Sequence, residues 1–106
     1  MAKTIRGTTP SITFNLPFDT STVRNCEVYF GQNDSLLFTK GIDDCVLSGT
    51  TLTVTLSQAD TLMFDEDEKK MQMQIRFVFN NDTVDATDIL KGSIGRILKD
   101  GEIDVN

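Results

Sequence analysis

The chain has 106 residues, a formal net charge of −6, no histidine, and an apolar fraction of 39%. That length fits one domain, 1–106, able to bury roughly 65% of the surface its unfolded chain exposes. The acidic balance, with no basic cluster, speaks against nucleic acid, which is held largely by neutralising phosphates, and against anionic lipid. No stretch is long and apolar enough to span a membrane, so neither a nucleic acid nor a membrane partner is expected.

The first residues, Met1 to Ser11, carry Lys3 and Arg6 without an apolar run behind them. This does not read as a secretory signal, and the expectation is a chain folded in a cytoplasm. Residues 1–10 read as a flexible arm and residues 99–106 as a flexible tail.

Period-two alternation then dominates. In Ser11–Leu16 the apolar residues Ile12, Phe14 and Leu16 alternate with Ser11, Thr13 and Asn15, the pattern of a half-buried strand that stops at Pro17. Asn25–Gln32 repeats it, with Cys26, Val28 and Phe30 on one face and Glu27 and Tyr29 on the other. Asn33-Asp34 signals a turn, and Leu36–Lys40 a third strand whose facing is ambiguous because two leucines adjoin. Thr51–Leu56 alternates leucine and valine with Thr51, Thr53 and Thr55; a turn at Ser48-Gly49-Thr50 would join it to Cys45–Leu47 as a hairpin.

Ser57 followed by Asp60 resembles a helix start, so a single helical turn is expected over Ser57–Phe64, with Leu62 or Phe64 tucked under the sheets. Met71–Phe79 is the longest strand candidate, with Met71, Met73, Ile75, Phe77 and Phe79 inward and Gln72, Gln74 and Arg76 outward. After a turn at Asn80-Asn81-Asp82, Thr83–Ala86 can return beside it. Ile89, Leu90, Ile94, Ile97 and Leu98 are irregularly spaced and suggest a last strand with a bulge near Gly92 or Gly95. Short strands punctuated by turns predict an all-β protein. An immunoglobulin-like antiparallel β-sandwich with one short helical turn is preferred over a barrel.

The absence of histidine removes Ser-His-Asp and Cys-His nucleophilic arrangements and histidine zinc sites. No catalytic residue is expected, nor any cofactor. Asp65-Glu66-Asp67-Glu68 is the densest acidic cluster, and Asp65 and Asp67 are the weak candidates for a divalent cation; the spacing lacks the alternate ligands and central glycine of a calcium loop, so a solvated turn is favoured. Cys26 and Cys45 read as reduced thiols, with a disulfide as the alternative since both fall near strands. Thr51, Thr53, Thr55, Gln72, Gln74 and Arg76 are the candidate interaction residues, as polar outward positions on long strands. Tyr29, the only tyrosine, is the main candidate for a carbohydrate or cell-surface ligand-binding alternative.

The segments Ile5-Arg6-Gly7-Thr8-Thr9-Pro10 and Ile12-Thr13-Phe14-Asn15-Leu16-Pro17-Phe18-Asp19-Thr20 resemble small proteins encoded by phages and prophages of Gram-positive bacteria. Gln32-Asn33, Leu52–Leu56 running into Ser57-Gln58-Ala59-Asp60-Thr61, Met73-Gln74-Ile75-Arg76 and Ile94-Gly95-Arg96-Ile97-Leu98 extend the likeness along nearly the whole chain. The order of elements also resembles the immunoglobulin-like N-terminal domain of upper baseplate proteins of phage tails. The resemblance implies a virion structural protein of the tail or baseplate, or a head accessory or decoration protein. It would be made in the host cytoplasm and then carried in the virion. The implied partners are other virion proteins, in a homo-oligomer or a larger assembly. The resemblance implies no functional residues.

Overall fold

The computed structural model describes residues 3–106 and is all-β, two sheets closed over one core. The strands are β1 (Lys3–Ile5), β2 (Ser11–Asn15), β3 (Val23–Gln32), β4 (Ser35–Gly41), β5 (Cys45–Ser48), β6 (Thr51–Thr55), β7 (Lys70–Phe79), β8 (Val84–Ala86) and β9 (Leu90–Gly95); one short helix, α1 (Gln58–Leu62), lies between β6 and β7. The larger sheet runs β1-β9-β7-β3-β4 with β8 attached to β7, and the smaller runs β2-β6-β5. From β2 to β9 this is the immunoglobulin-type arrangement, in which strands two, five and four of the key face a sheet built on the third, sixth and seventh. β1 pairs with β9 in parallel, through Lys3↔Ser93, Thr4↔Ile94 and Ile5↔Gly95. The sheet is therefore mixed, where the sequence predicts a wholly antiparallel one. Parallel neighbours need a long connection, and here nearly the whole chain separates the two strands.

The alternation is honoured throughout. Ile12, Phe14 and Leu16 from one sheet meet Cys26, Val28, Phe30, Met71, Met73, Ile75 and Phe77 from the other, with Leu52, Val54, Leu56, Phe64 and Ile94 completing the core. Aromatic rings tie its ends together: Phe18 stands edge-on to Phe77 and Phe79, each at 5.0 Å, and Phe30 stacks on Phe38 at 4.8 Å. Asn33 and Asp34 both take positive φ, 52° and 61°, which fits the two-residue β3–β4 turn to the twist of its strands. Ser57 caps α1 by accepting from the Asp60 amide, while the Asp60 carboxylate accepts from the Ser57 amide. Phe64, just past this helix, is the residue tucked under the sheets, and Leu62 is only half-buried.

Three expectations change. Residues 3–10, read as an arm, supply β1 and a polar clasp onto α1: Arg6 is 9% exposed and donates to the Phe64 carbonyl (2.7 Å), the Leu62 carbonyl (3.0 Å) and Asp100 (2.6 Å). Thr61, fully buried, accepts from the Gly7 amide (2.9 Å) and donates to the Thr8 carbonyl (2.9 Å). Residues 99–106 form no strand, yet Gln58 holds the Ile103 backbone through both its amide atoms (3.0 and 2.7 Å). The last strand ends at Gly95, leaving Leu98 exposed, and β9 pairs with β7 in continuous register. The register shifts sit where β3 meets its neighbours instead: Leu37 of β4 is the extra residue opposite Phe30/Gly31, and Arg24 of β3 the extra residue between Val23 and Asn25. Gly95 serves close approach rather than a bulge: a Cβ there would lie 2.9 Å from Ile5 Cγ1 and 3.1 Å from Lys3 Cε.

Candidate functional site

Because the inward positions of β3 and β7 are apolar, their outward positions form a continuous face of the larger sheet. Register places Tyr29 beside Gln74 and Glu27 beside Arg76. Tyr29 donates its hydroxyl proton to Glu27 (2.7 Å) and accepts from Arg76 Nε (2.7 Å), and the guanidinium carbon lies 5.3 Å from the ring centroid. The phenol is held above its ordinary pKa: partial burial and the hydrogen bond to Glu27 raise it, outweighing Arg76. Arg76 is raised in turn, first by its bond to Tyr29. Tyr29 is thus a fixed, neutral ring.

At the β3–β4 turn the same face becomes apolar. The register shift after Phe30 sets Leu36 opposite Gly31 and turns its side chain out, 64% exposed; Leu37 packs inward on the core. Ile89, from the segment before β9, is 51% exposed. Leu36, Ile89 and Tyr29 line a shallow groove of about 250 Å³ that runs over Gly31 and is bordered by Asp34, Gln72 and Gln74. Gln72 and Asp34 fix each other, the Asp34 amide donating to Gln72 Oε1 (2.8 Å) and Gln72 Nε2 to Asp34 Oδ1 (2.8 Å). Gln74 Nε2 donates to the Thr87 carbonyl (2.9 Å). At the far end of this face, Val84, 61% exposed, stands opposite Val78.

The six polar residues singled out from the sequence divide between opposite sides of the sandwich. Gln72, Gln74 and Arg76 lie on the face just described. Thr51, Thr53 and Thr55 lie on the outside of the smaller sheet, facing Asn15, Thr13 and Ser11. There the hydroxyls satisfy one another or the backbone: Thr53 with Thr13 (2.9 Å), Thr55 with Ser11 (2.7 Å), and Thr51 with the Ser48 carbonyl (2.9 Å). No single contact can use both trios. Alternation does not reveal Leu36 and Ile89 as surface residues; the one signal for Leu36 is the adjacency of two leucines, one of which must face out of a strand.

Asp65 and Asp67 sit in the turn between α1 and β7. Asp65 Oδ1 accepts from the Asp67 amide (2.9 Å), and the Asp65 amide donates to Gln32 Oε1 (2.7 Å). Gln32 is 5% exposed and also donates to the carbonyls of Asp65 (3.2 Å), Glu68 (3.1 Å) and Lys70 (3.3 Å), so it clamps this turn. Glu66 faces Arg6 and Arg96, each at 3.6 Å. Among the described residues no three His, Cys, Asp or Glu side chains converge as metal ligands. Among the same residues, no helix is long and apolar enough to cross a membrane.

The chain matches no family model, no curated protein and no solved structure.

Proposed function

We propose that this chain is a structural protein of a phage or prophage virion that works by protein–protein contact, in the tail or baseplate, and carries out no catalysis. The observation that carries the contact reading is the outer face of the larger sheet. Leu36, Ile89 and Val84 stand exposed on it, and amides and a pinned tyrosine surround the groove. An apolar centre with a polar rim is the anatomy of a polypeptide interface. A shallow groove encloses little of a small molecule, whereas ligand pockets bury most of theirs. Tyr29 is poorly placed for sugar stacking, because Arg76 shares its ring face and hydroxyl.

The virion assignment rests on the resemblance carried by Ile5–Pro10, Ile12–Thr20 and Ile94–Leu98, and the sandwich is the fold that resemblance implies. The partners are other virion proteins, arranged with the symmetry such assemblies use. Mass spectrometry of particles purified from the producing bacterium tests this. The chain should be present in fixed proportion to the tail proteins and should stay with tails when heads are removed. Its absence from particles overturns the proposal, and its retention with heads alone reassigns it to a head accessory or decoration protein.

A further inference from the structure

The segment after β9 exposes more apolar surface than a solvated stretch needs. Ile103 and Val105 are 75% and 82% exposed. They alternate with Glu102, Asp104 and Asn106. Gln58 on α1 grips the Ile103 backbone at both its amide and its carbonyl, so the segment is anchored while these side chains stay free. Among the described residues neither Glu102 nor Asp104 makes an ion pair.

The outer face of the larger sheet offers the opposite charge. Lys3 and Lys70 both pair with Ser93, which sets them in one row across β1, β9 and β7. The next row runs Lys91, Gln72, Gly31, Leu36, from β9 to β4. Thr4 and Met71, the neighbours of Lys3 and Lys70, are buried inward, so both lysines project outward, onto the face that holds the groove, and Lys91 joins them through its pairing with Gln72. All three lysines are exposed, and among the described residues none makes an ion pair. The acids at this end, Asp34 and Glu68, are bonded to Gln72 and to the Lys70 amide. On a chain of net charge −6, an apolar groove bordered by unpaired lysines matches an apolar segment punctuated by unpaired acids.

We propose that the outer face of the larger sheet receives residues 102–106 of a second copy of this chain, with Ile103 and Val105 over Leu36 and Ile89 and with Glu102 and Asp104 toward Lys70 and Lys91. The proposal rests on the contact-face reading above and names the occupant of that face. Covering the apolar side chains drives the contact. The lysines select an acidic segment and set its direction. The Gln58 anchor lowers the ordering cost, because the segment is held before it docks. Segment and face are different surfaces of one chain, so every copy gives and receives at once, and the contacts close into a ring or propagate.

Sedimentation equilibrium of the whole chain, up to about 1 mM and at low and high salt, measures the contact. Wild type should self-associate, and more weakly in high salt. Lys70→Glu/Lys91→Glu and Glu102→Lys/Asp104→Lys should each associate about tenfold more weakly. An equimolar mixture of the two should recover association, because every contact between unlike copies again joins opposite charges. Ile103→Ser/Val105→Ser should weaken association at least about tenfold. A wild type that stays monomeric throughout, association that survives these substitutions, or a mixture no tighter than its parts overturns the proposal. Particle incorporation separates this result from the contact-face reading. Association through the segment with the chain absent from particles leaves the inference standing and removes the virion role. A monomer in solution that Leu36→Glu/Ile89→Glu excludes from particles keeps the contact face and overturns the segment as its occupant.

Discussion

Replacing Arg6 by methionine tests whether the N-terminal segment is a structural member of the sandwich. Methionine keeps most of the apolar stem and removes only the guanidinium. The loss then comes from the acceptors left behind. The Phe64 carbonyl is buried and bonded to a charged donor, a bond worth about 1.5–3 kcal/mol. The Leu62 carbonyl is partly buried and adds about 1 kcal/mol. Asp100 is 73% exposed at its side chain, so its ion pair contributes under about 1 kcal/mol despite the 2.6 Å separation. The sum is about 3 kcal/mol, a large share of the 5–15 kcal/mol typical of a domain. Urea denaturation followed by far-ultraviolet circular dichroism should give a lower midpoint with an unchanged slope for Arg6→Met, and little change for Asp100→Asn. A loss below about 1 kcal/mol for Arg6→Met, or equal losses for both variants, would refute the reasoning, because the surface pair and not the carbonyl clasp would then hold the segment.

Gly31→Ala should destabilise by about 2 kcal/mol, because its Cβ would stand 2.4 Å from the Ser35 carbonyl oxygen, whereas Gly41→Ala meets nothing within 4 Å and should fall within about 0.5 kcal/mol of wild type; equal effects in denaturant titrations would contradict this. Asp60 is pushed up by partial burial, but the hydrogen bond from Lys40 and the Ser57 cap more than reverse that, leaving it below its ordinary 3.8. Since the folded value lies under the unfolded one, this stabilisation is complete above the ordinary value and is lost as pH falls through the folded value. Melting curves against pH should show Lys40→Met losing part of that acid-limb dependence, and an unchanged limb would count against the assignment. Calcium should leave the melting temperature of wild type and of Asp65→Asn/Asp67→Asn unchanged, since the Asp65 carboxylate is spent on the Asp67 amide; a calcium-dependent rise in wild type alone would reinstate a metal site.

Strands were legible wherever one face is buried and the other wet. Ile12–Leu16, Cys26–Phe30, Leu52–Leu56 and Met71–Phe79 state their inward positions by alternation alone, and Asn33-Asp34 and Gly49-Thr50 mark their hairpins. The Ser57–Asp60 cap was equally local. The parallel β1–β9 pair was hidden because Lys3–Ile5 is too short to show a period and its partner lies at the other end of the chain. Arg6, Gln32 and Thr61 were hidden for a related reason. Each is a buried polar side chain whose partners are mostly backbone carbonyls and amides more than 30 residues away, and backbone groups carry no sequence signature. The groove is half legible: Tyr29 stands out as the lone tyrosine on an outward position, but Leu36 faces outward opposite Gly31 because Leu37 is an extra residue in β4, and Ile89 covers the face from outside any strand. The six polar positions were correctly outward, yet alternation cannot say which of two sheets an outward residue belongs to.

The central claim, that the outer face of the larger sheet is the contact face, is tested most directly by charge substitution on each side of the sandwich. Leu36→Glu/Ile89→Glu places two charges in the groove, and Thr13→Glu/Val46→Glu places two on the outside of the smaller sheet. With both variants folded, as judged by melting temperature, incorporation into particles in the producing bacterium is measured against wild type. The account predicts that the groove variant is lost from particles while the other is retained. Retention of the groove variant, or loss of the smaller-sheet variant alone, would contradict it.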